Sequence, residues 1–232
     1  MFTISKQCNI KGNCMSMLFG DNAADNYSLN GKDYAFYKLF LNCRNIINVS
    51  SNFLPATTFA YRCYSDMFAG CGSLTTAPEL PATTLAEGCY RNMFHYCAGL
   101  TTAPELPATT LADYCYEGMF SNCTGLTTAP ELPATTLADY CYEYMFQKCS
   151  SLTTAPELPA TTLTRYCYYG MFWNCKKLDH ITMLATDISA YRCLHNWVSG
   201  VSSTGTFVKN PAMTTLPTGT SGIPSGWTVL NA

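Results

Sequence analysis

Apolar residues recur along the chain in a pattern that repeats every 26 residues. Within one unit they fall at i, i+4, i+8, i+9 and i+12, as in Leu111, Cys115, Met119, Phe120 and Cys123. This spacing favours one face of a helix of about three turns. Residues 100–103 carry two threonines between apolar residues, which favours a short strand, and the prolines that follow limit it because proline cannot donate to a ladder. Each unit is therefore predicted to contain a short strand, a proline-bounded loop, a helix and a tight return.

The repeat itself is the strongest signal in the sequence. The twelve residues LTTAPELPATTL are identical in four copies, which begin at Leu74, Leu100, Leu126 and Leu152. The motif CY..MF..C occurs five times, beginning at Cys63, Cys89, Cys115, Cys141 and Cys167. A period of roughly 20–50 residues is typical of stacked arrays, because one such unit cannot bury its own apolar face. We therefore predict an α/β repeat solenoid with short strands on one face and short helices on the other.

The repeats divide the 232 residues into one domain with a cap at each end. We predict an N-terminal cap at 1–30, including a short strand around Phe2–Ser5, and repeats at 31–199, with the period clearest at 74–177. A diverged final unit carries Trp197 in place of methionine. Residues 200–232 are predicted to form a C-terminal cap with a β-hairpin.

Composition and charge exclude several classes of partner. Charged residues make up only 12% of the chain and the net charge is −2, so no field attracts nucleic acid or an anionic membrane. No apolar run approaches the roughly 18–20 residues of a membrane span. The N-terminus lacks the basic start and apolar middle of a signal peptide. We expect a mature or truncated form behind an added Met, and the alternative is a cytosolic protein.

Ten of the 14 cysteines form five Cys-x7-Cys pairs, one per repeat. On a helix, residues eight apart lie about 12 Å apart, whereas a disulfide needs Cα atoms within about 7 Å. We therefore predict buried thiols that behave as small hydrophobes. Neither a C-x2-C motif nor a paired histidine spacing occurs, so no metal or cofactor is predicted.

Each regular unit contains the motif Phe-x2-Cys-x2-Leu, as in Phe120, Cys123 and Leu126. Before the motif stand an apolar residue and, four positions later, a small one, as in Leu111 and Cys115. With the closing block LATDISAYRC…WVSGVSSTGTFVKN…GTSGIPSGWTV, it resembles the BspA-like leucine-rich repeat proteins. These are surface and secreted proteins of Bacteroides and related gut or oral bacteria. The usual unit of that family is about three residues shorter, and the segment between Cys115 and Cys123 here carries an added turn.

The resemblance implies a right-handed leucine-rich-repeat superhelix and a binding function at the cell surface or in secreted form. It implies adhesion to host proteins, other bacteria or surface glycans. A monomer or a weak homo-oligomer is expected. A purely structural spacer without a ligand is the alternative.

Nothing in the sequence marks a catalytic site. The three histidines, His95, His180 and His195, do not recur with a nucleophile or a carboxylate at a mechanistic spacing. The motifs GxSxG, GxxxxGK[ST], GxGxxG and HExxH are absent. We predict that the protein is not an enzyme, and a hydrolase on a repeat frame is the less favoured alternative.

Variation among the repeats points to a candidate binding surface. The strand and proline loop are invariant, whereas positions off the apolar stripe change and are rich in Tyr, Asn, Gly and Ser, close to the composition of antibody paratopes. The candidate ligand-binding residues are Arg91, His95, Tyr96, Tyr114, Tyr140, Tyr144, Tyr166, Tyr169 and Trp173. Neutral drift on a solvated face is the alternative explanation, and the strand face is the second candidate surface.

Two further columns recur in every regular unit. The tyrosine that follows the first cysteine is predicted to pack between units, at Tyr64, Tyr90, Tyr116, Tyr142 and Tyr168. A glutamate recurs in the proline loop, at Glu79, Glu105, Glu131 and Glu157. Stacked carboxylates about 5 Å apart repel one another. We favour the interpretation that these carboxylates extend into solvent or accept hydrogen bonds from backbone N–H groups. The alternative is that they form a track for cations or basic ligands.

Overall fold

The computed structural model describes residues 4–232 and is mostly non-helical. In chain order its regular elements are β1 (Cys8–Ile10), α1 (Ser16–Phe19), a 3-10 turn (Gly20–Ala23), β2 (Ile46–Val49), a second 3-10 turn (Ser51–Phe53), β3 (His180–Met183), β4 (Thr206–Lys209) and β5 (Thr228–Asn231). The predicted strand at Phe2–Ser5 lies mostly outside the described residues, and Ile4 and Ser5 are not in a strand.

The strands are parallel and, like most of the isolated bridges, join residues of successive units. Strand β1 pairs with β2, and β3, β4 and β5 form a three-stranded parallel sheet. Between β2 and β3 the contacts reduce to isolated bridges, such as Thr84 with Thr110 and Thr102 with Thr128, each joining residues 26 apart. The predicted strand at 100–103 is thus present only as the bridge at Thr102, since the prolines that follow interrupt the ladder. Short parallel strands at the repeat spacing are compatible with a repeat fold.

The predicted helices do not form, and this prediction was wrong. Seven ten-residue stretches, which we call the turn segments, take their place at 33–42, 61–70, 87–96, 113–122, 139–148, 165–174 and 191–200. In the segment 87–96, the Met93 N–H donates to the Tyr90 carbonyl, three residues back, at 3.1 Å. The Asn92 N–H donates instead to the Glu117 carbonyl of the next unit, at 2.8 Å. An α-helix keeps all of these bonds within one segment, to the fourth residue back.

The backbone of each turn segment reverses its local conformation at every fourth residue. The second, sixth and tenth residues of each segment have φ between 49° and 77°. This left-handed region suits glycine and, to a lesser degree, asparagine, and it costs roughly 1–2 kcal/mol for other residues. Alternate turns therefore carry a positive φ at their third residue, as type II turns do, and the segment cannot continue as a helix.

Two aromatic ladders run through the core at the unit spacing. The rings of Tyr90 and Tyr116 stack with centroids 5.9 Å apart, and those of Phe94 and Phe120 with centroids 5.7 Å apart. The tyrosine ladder contains Tyr64, Tyr90, Tyr116, Tyr142 and Tyr168, and the phenylalanine ladder contains Phe68, Phe94, Phe120, Phe146 and Phe172. All ten side chains are buried. The predicted packing role of the tyrosines is confirmed.

The cysteines form two further buried columns. Among the described residues, thirteen of the fourteen cysteines are buried and all are thiols, which confirms the prediction, although the helical spacing on which it rested does not apply. The second cysteine of a unit donates its Sγ–H to the phenylalanine carbonyl of the preceding unit, as in Cys123 to Phe94 at 3.1 Å. Burial raises the pKa of the Cys123 thiol to about 12, so the thiol stays protonated.

The C-terminal region continues the parallel arrangement. The prediction of a β-hairpin was wrong, because β4 and β5 pair in parallel with Phe207 opposite Val229. A parallel pair needs a long crossover, which residues 210–227 provide. Trp197 ends both aromatic ladders, 6.4 Å from Tyr168 and 6.1 Å from Phe172, and its indole N–H donates to the Gly222 carbonyl at 2.8 Å.

Replacing one rung of the phenylalanine ladder tests this packing. Phe120→Ala is expected to lower the free energy of unfolding by about 3–5 kcal/mol, because the ring is fully buried between two others. Urea unfolding measures the change. The exposed Glu105→Gln serves as the control and is expected to stay within about 0.5 kcal/mol of the wild type. A loss for Phe120→Ala as small as the control's would contradict the ladder.

Candidate functional site

The nine residues predicted to bind a ligand all lie in the turn segments, but the structure divides them. Tyr96 and Trp173 are exposed, whereas the other seven are half-buried. Six residues form one contiguous surface, which we call the aromatic patch: Tyr114, Tyr140, Tyr144, Tyr166, Tyr169 and Trp173. Arg91, His95 and Tyr96 lie outside the chain of ring contacts that defines it.

The aromatic patch joins two columns of the turn segments. In the first column, Tyr114, Tyr140 and Tyr166 stack with centroids 4.5 and 4.7 Å apart. Tyr169 contacts Tyr166 at 5.3 Å and meets Tyr144 of the second column edge-on at 5.1 Å. Tyr144 also lies 6.4 Å from Trp173. Because every ring is held by another, the patch presents a rigid aromatic surface.

Charged groups border the first column. The Arg165 guanidinium lies over the Tyr140 ring, 5.0 Å from its centroid, and its Nε is 3.2 Å from the Asp139 carboxylate. Partial burial, followed by the neighbouring Tyr140, raises the pKa of Tyr114. Tyr114 is therefore neutral at physiological pH and offers its hydroxyl group as a donor and an acceptor.

Four patch tyrosines adopt an unfavourable backbone conformation. Tyr114, Tyr140, Tyr144 and Tyr166 have φ between 53° and 58°. A bulky residue at such a φ is an outlier, with a cost of order 1–3 kcal/mol. At the position of Tyr144 other units carry glycine or asparagine, as at Gly118, and at the position of the other three tyrosines one unit carries Gly88. Tyrosine is thus present where the backbone alone would favour another residue.

The positive φ explains much of the variation among the repeats. The glycine and asparagine residues that made the composition resemble an antibody paratope stand at positions with a positive φ. Glycine and asparagine recur at these positions because they adopt a positive φ at least cost. The choice also depends on the preceding unit. The Tyr144 ring lies where a Cβ on Gly170 would be, and the Asn92 amide lies against Gly118 in the same way. Neither drift nor ligand binding is needed to explain the presence of these glycines. The tyrosines at the variable positions are therefore the residues that bear on a binding function.

Two neighbouring carboxylates beside the patch, Glu117 and Glu143, were not among the candidate residues predicted from the sequence. The Arg91 Nη2 donates to Glu117 Oε1 at 2.9 Å, and the Arg91 Nε lies 2.8 Å from Glu117 Oε2. Glu143 occupies the same position one unit further on, next to Tyr144. Burial, and then the charge of Glu117, raises the pKa of the Glu143 carboxyl to about 7. The signal in the sequence was two acidic residues 26 positions apart, following an arginine in the same column.

His95 and Tyr96 border a separate surface cleft of about 600 Å³. Its lining residues are Leu41, Asn42, Arg44, Asp66, Ala69, Gly70, Gly72, His95 and Tyr96. The two aromatic rings stack face to face with centroids 4.4 Å apart. Most of these residues were absent from the sequence-based candidates, because small residues such as Gly70 carry no chemical signal of their own.

The opposite face carries the invariant threonines, prolines and glutamates. Glu79, Glu105, Glu131 and Glu157 are all exposed, which favours the solvent-facing interpretation over a cation track. Within residues 4–232, no group of three or more His, Cys, Asp or Glu side chains is placed to hold a metal ion.

The chain matches no protein-family model, no curated protein and no solved structure. None of the helices in the described part of the chain has the length and apolar character needed to cross a membrane.

The carboxyl of Glu143 predicts a pH dependence of stability. The pKa of Glu143 is raised from the ordinary 4.5 to about 7 in the folded protein, which therefore holds more protons than the unfolded chain between these values. Stability thus falls as the pH rises through this window. Discounted for solvent exposure, Glu143→Gln is expected to add about 1 kcal/mol at pH 8, or about 2–4 °C in Tm, and to change little at pH 4.

Thermal unfolding at pH 4 and pH 8 measures the effect, with Glu105→Gln on the opposite face as the matched control. Equal Tm values for Glu143→Gln and the wild type at pH 8 would show that the Glu143 carboxyl is not shifted.

Proposed function

We propose that this protein is a non-catalytic binding module that recognises a host protein or glycan through the aromatic patch. The observation that carries the proposal is the presence of tyrosine at positive φ. Tyr144 occupies a backbone position that glycine or asparagine fills at lower cost in four other units, as at Asn92 and Gly118. The position of Tyr114, Tyr140 and Tyr166 is filled without strain by Gly88 in one other unit. Residues held at a backbone cost cluster at functional sites.

The chemistry of the patch suits recognition. Its rings are fixed by mutual contacts, so binding a partner costs little side-chain entropy. Tyrosine and tryptophan supply large contact areas together with hydroxyl and indole N–H groups, and they are enriched among residues that dominate binding energy. Arg165 adds a cation at the border of the patch.

We further propose that the chain is a right-handed leucine-rich-repeat solenoid of the BspA-like type, displayed at a bacterial surface or secreted. The 26-residue period, the parallel bridges between units and the Phe-x2-Cys-x2-Leu motif support this assignment. In this proposal the turn segments take the place of the helices, and the threonine-bearing bridges take the place of the strands.

A structural spacer is the competing function, and the mutual stacking of the patch tyrosines is the observation that favours it. Stacked rings bury surface between units whether or not a partner covers them. Removal of the rings distinguishes the two functions. A binding module loses affinity for its ligand, whereas a spacer has no ligand.

A binding screen with a matched variant tests the proposal. The intact protein is screened against matrix proteins, mucins and a glycan array. The variant combines Tyr144→Asn, Tyr169→Ser and Trp173→Ser, and each new residue already occurs at the same position in another unit, at Asn92, Ser65 and Ser121. The Tyr144→Asn change recreates the pair that Asn92 forms with Gly118, so the fold is expected to persist.

We expect a ligand whose affinity falls about tenfold or more in the variant. A control with Thr101→Ser, Glu105→Gln and Thr109→Ser changes the opposite face and is expected to bind normally. Binding that is retained in the patch variant and lost in the control would move the site to the opposite face. Absence of any ligand would favour the spacer, and self-association lost in the variant would make the patch a contact between copies.

A further inference from the structure

The cleft beside Tyr96 exists because one unit carries three small residues, whereas the preceding unit carries larger ones at all three positions and the following unit at two of them. At three positions of the unit at 61–74, the chain has Ala69, Gly70 and Gly72. The preceding unit has Leu41, Asn42 and Arg44 at the same positions, and the following unit has His95, Tyr96 and Ala98. The missing side chains leave a notch about two chain spacings wide, or about 9–10 Å.

The floor of the notch is fixed by packing. Gly70 has a φ of +76°, and the Asn42 side chain occupies the place where its Cβ would be. A larger residue is therefore excluded at Gly70 by both backbone strain and collision. Gly72 is different, since a Cβ there would meet nothing within 4 Å and its φ is not in the left-handed region.

One wall of the notch is aromatic. Tyr96 remains 57% exposed although its ring stacks on His95. The His95 Nε2 lies 3.3 Å from the Asn122 amide nitrogen, which fixes the imidazole and with it the tyrosine. Burial lowers the pKa of His95, so the imidazole is neutral at physiological pH. The wall is thus an oriented, uncharged aromatic surface.

The polar groups of the notch are mixed. Asp66 supplies a carboxylate, held by a 2.9 Å hydrogen bond from the Ser65 hydroxyl. Asn42 supplies an amide that both donates and accepts, and Arg44 supplies a guanidinium. The lining carries one negative and one positive formal charge, which offset each other, so the notch favours an uncharged ligand with several hydroxyl groups. Its volume is in the range of small-molecule sites.

We propose that this notch is a binding site for one neutral sugar ring of a glycan. The apolar face of a pyranose stacks on Tyr96, while neighbouring hydroxyls donate to Asp66, accept from Arg44 and exchange hydrogen bonds with Asn42. The site shares no residue with the aromatic patch and does not depend on a ligand there.

The test uses the intact protein and a panel of neutral sugars: galactose, mannose, fucose, N-acetylglucosamine and lactose. Saturation-transfer NMR detects binding, and titration gives a Kd expected to be on the order of 1 mM for the preferred sugar. Gly72→Leu fills the notch from a position with open space and ordinary φ. Ser150→Leu places the same side chain at the equivalent position of a distant unit and is the matched control.

We expect Gly72→Leu and Tyr96→Ser to lower the affinity for the preferred sugar by about tenfold or more. Asp66→Asn is expected to lower this affinity as well, and Ser150→Leu is expected to leave it unchanged. Amide spectra of each variant confirm that the fold is intact. Absence of binding to every sugar, or equal binding by wild type and Gly72→Leu, would overturn the proposal. The patch variant Tyr144→Asn/Tyr169→Ser/Trp173→Ser is expected to bind the sugar normally, so the failure of one site is distinguishable from the failure of the other.

Discussion

The hydrogen bonds from alternate amides of one turn segment to the carbonyls of the next are the constraint on which the structure depends. The Tyr116 and Gly118 N–H groups, for example, donate to Cys141 and Glu143 at 3.0 and 2.8 Å. A segment of this kind satisfies only half of its amides by itself, so it cannot fold without a neighbour in register. Register in turn places identical residues on top of one another. The aromatic ladders and the Sγ–H bonds of the cysteines both follow from it.

The same constraint shapes the surface. Every fourth residue of a turn segment has a positive φ, and its side chain lies along the following unit, as Tyr144 lies over Gly170. A change at one unit is therefore accommodated at the next, and glycine and asparagine are the residues that satisfy the backbone at least cost. The aromatic patch departs from this pattern by placing tyrosine at strained positions. The cleft beside Tyr96 arises in the opposite way, from small residues between two larger neighbours.

The sequence predicts the period, the parallel relation of the units and the buried positions, because these follow directly from identical repeats. It does not distinguish the turn segments from helices. Over three turns, apolar residues four positions apart are typical of both a turn segment and a helix. What distinguishes the turn segment is that consecutive residues, such as Cys115 with Tyr116 and Met119 with Phe120, are buried together and that these pairs recur at intervals of four. The patch was predictable residue by residue from its position off the apolar stripe. Its connection through Tyr169, and the cleft around Gly70, depend on how adjacent units pack, which no single unit encodes.

The most direct test of this account is a measurement of scalar couplings across hydrogen bonds in the deuterated, isotope-labelled protein. These couplings connect an amide nitrogen to the carbonyl carbon that accepts its proton. We expect a correlation from the Asn92 amide to the Glu117 carbonyl, and from the Phe94 amide to the Met119 carbonyl, because these bonds join successive units. Correlations from Asn92 to Gly88 and from Phe94 to Tyr90 would mean that the segment is an α-helix, and they would contradict the account.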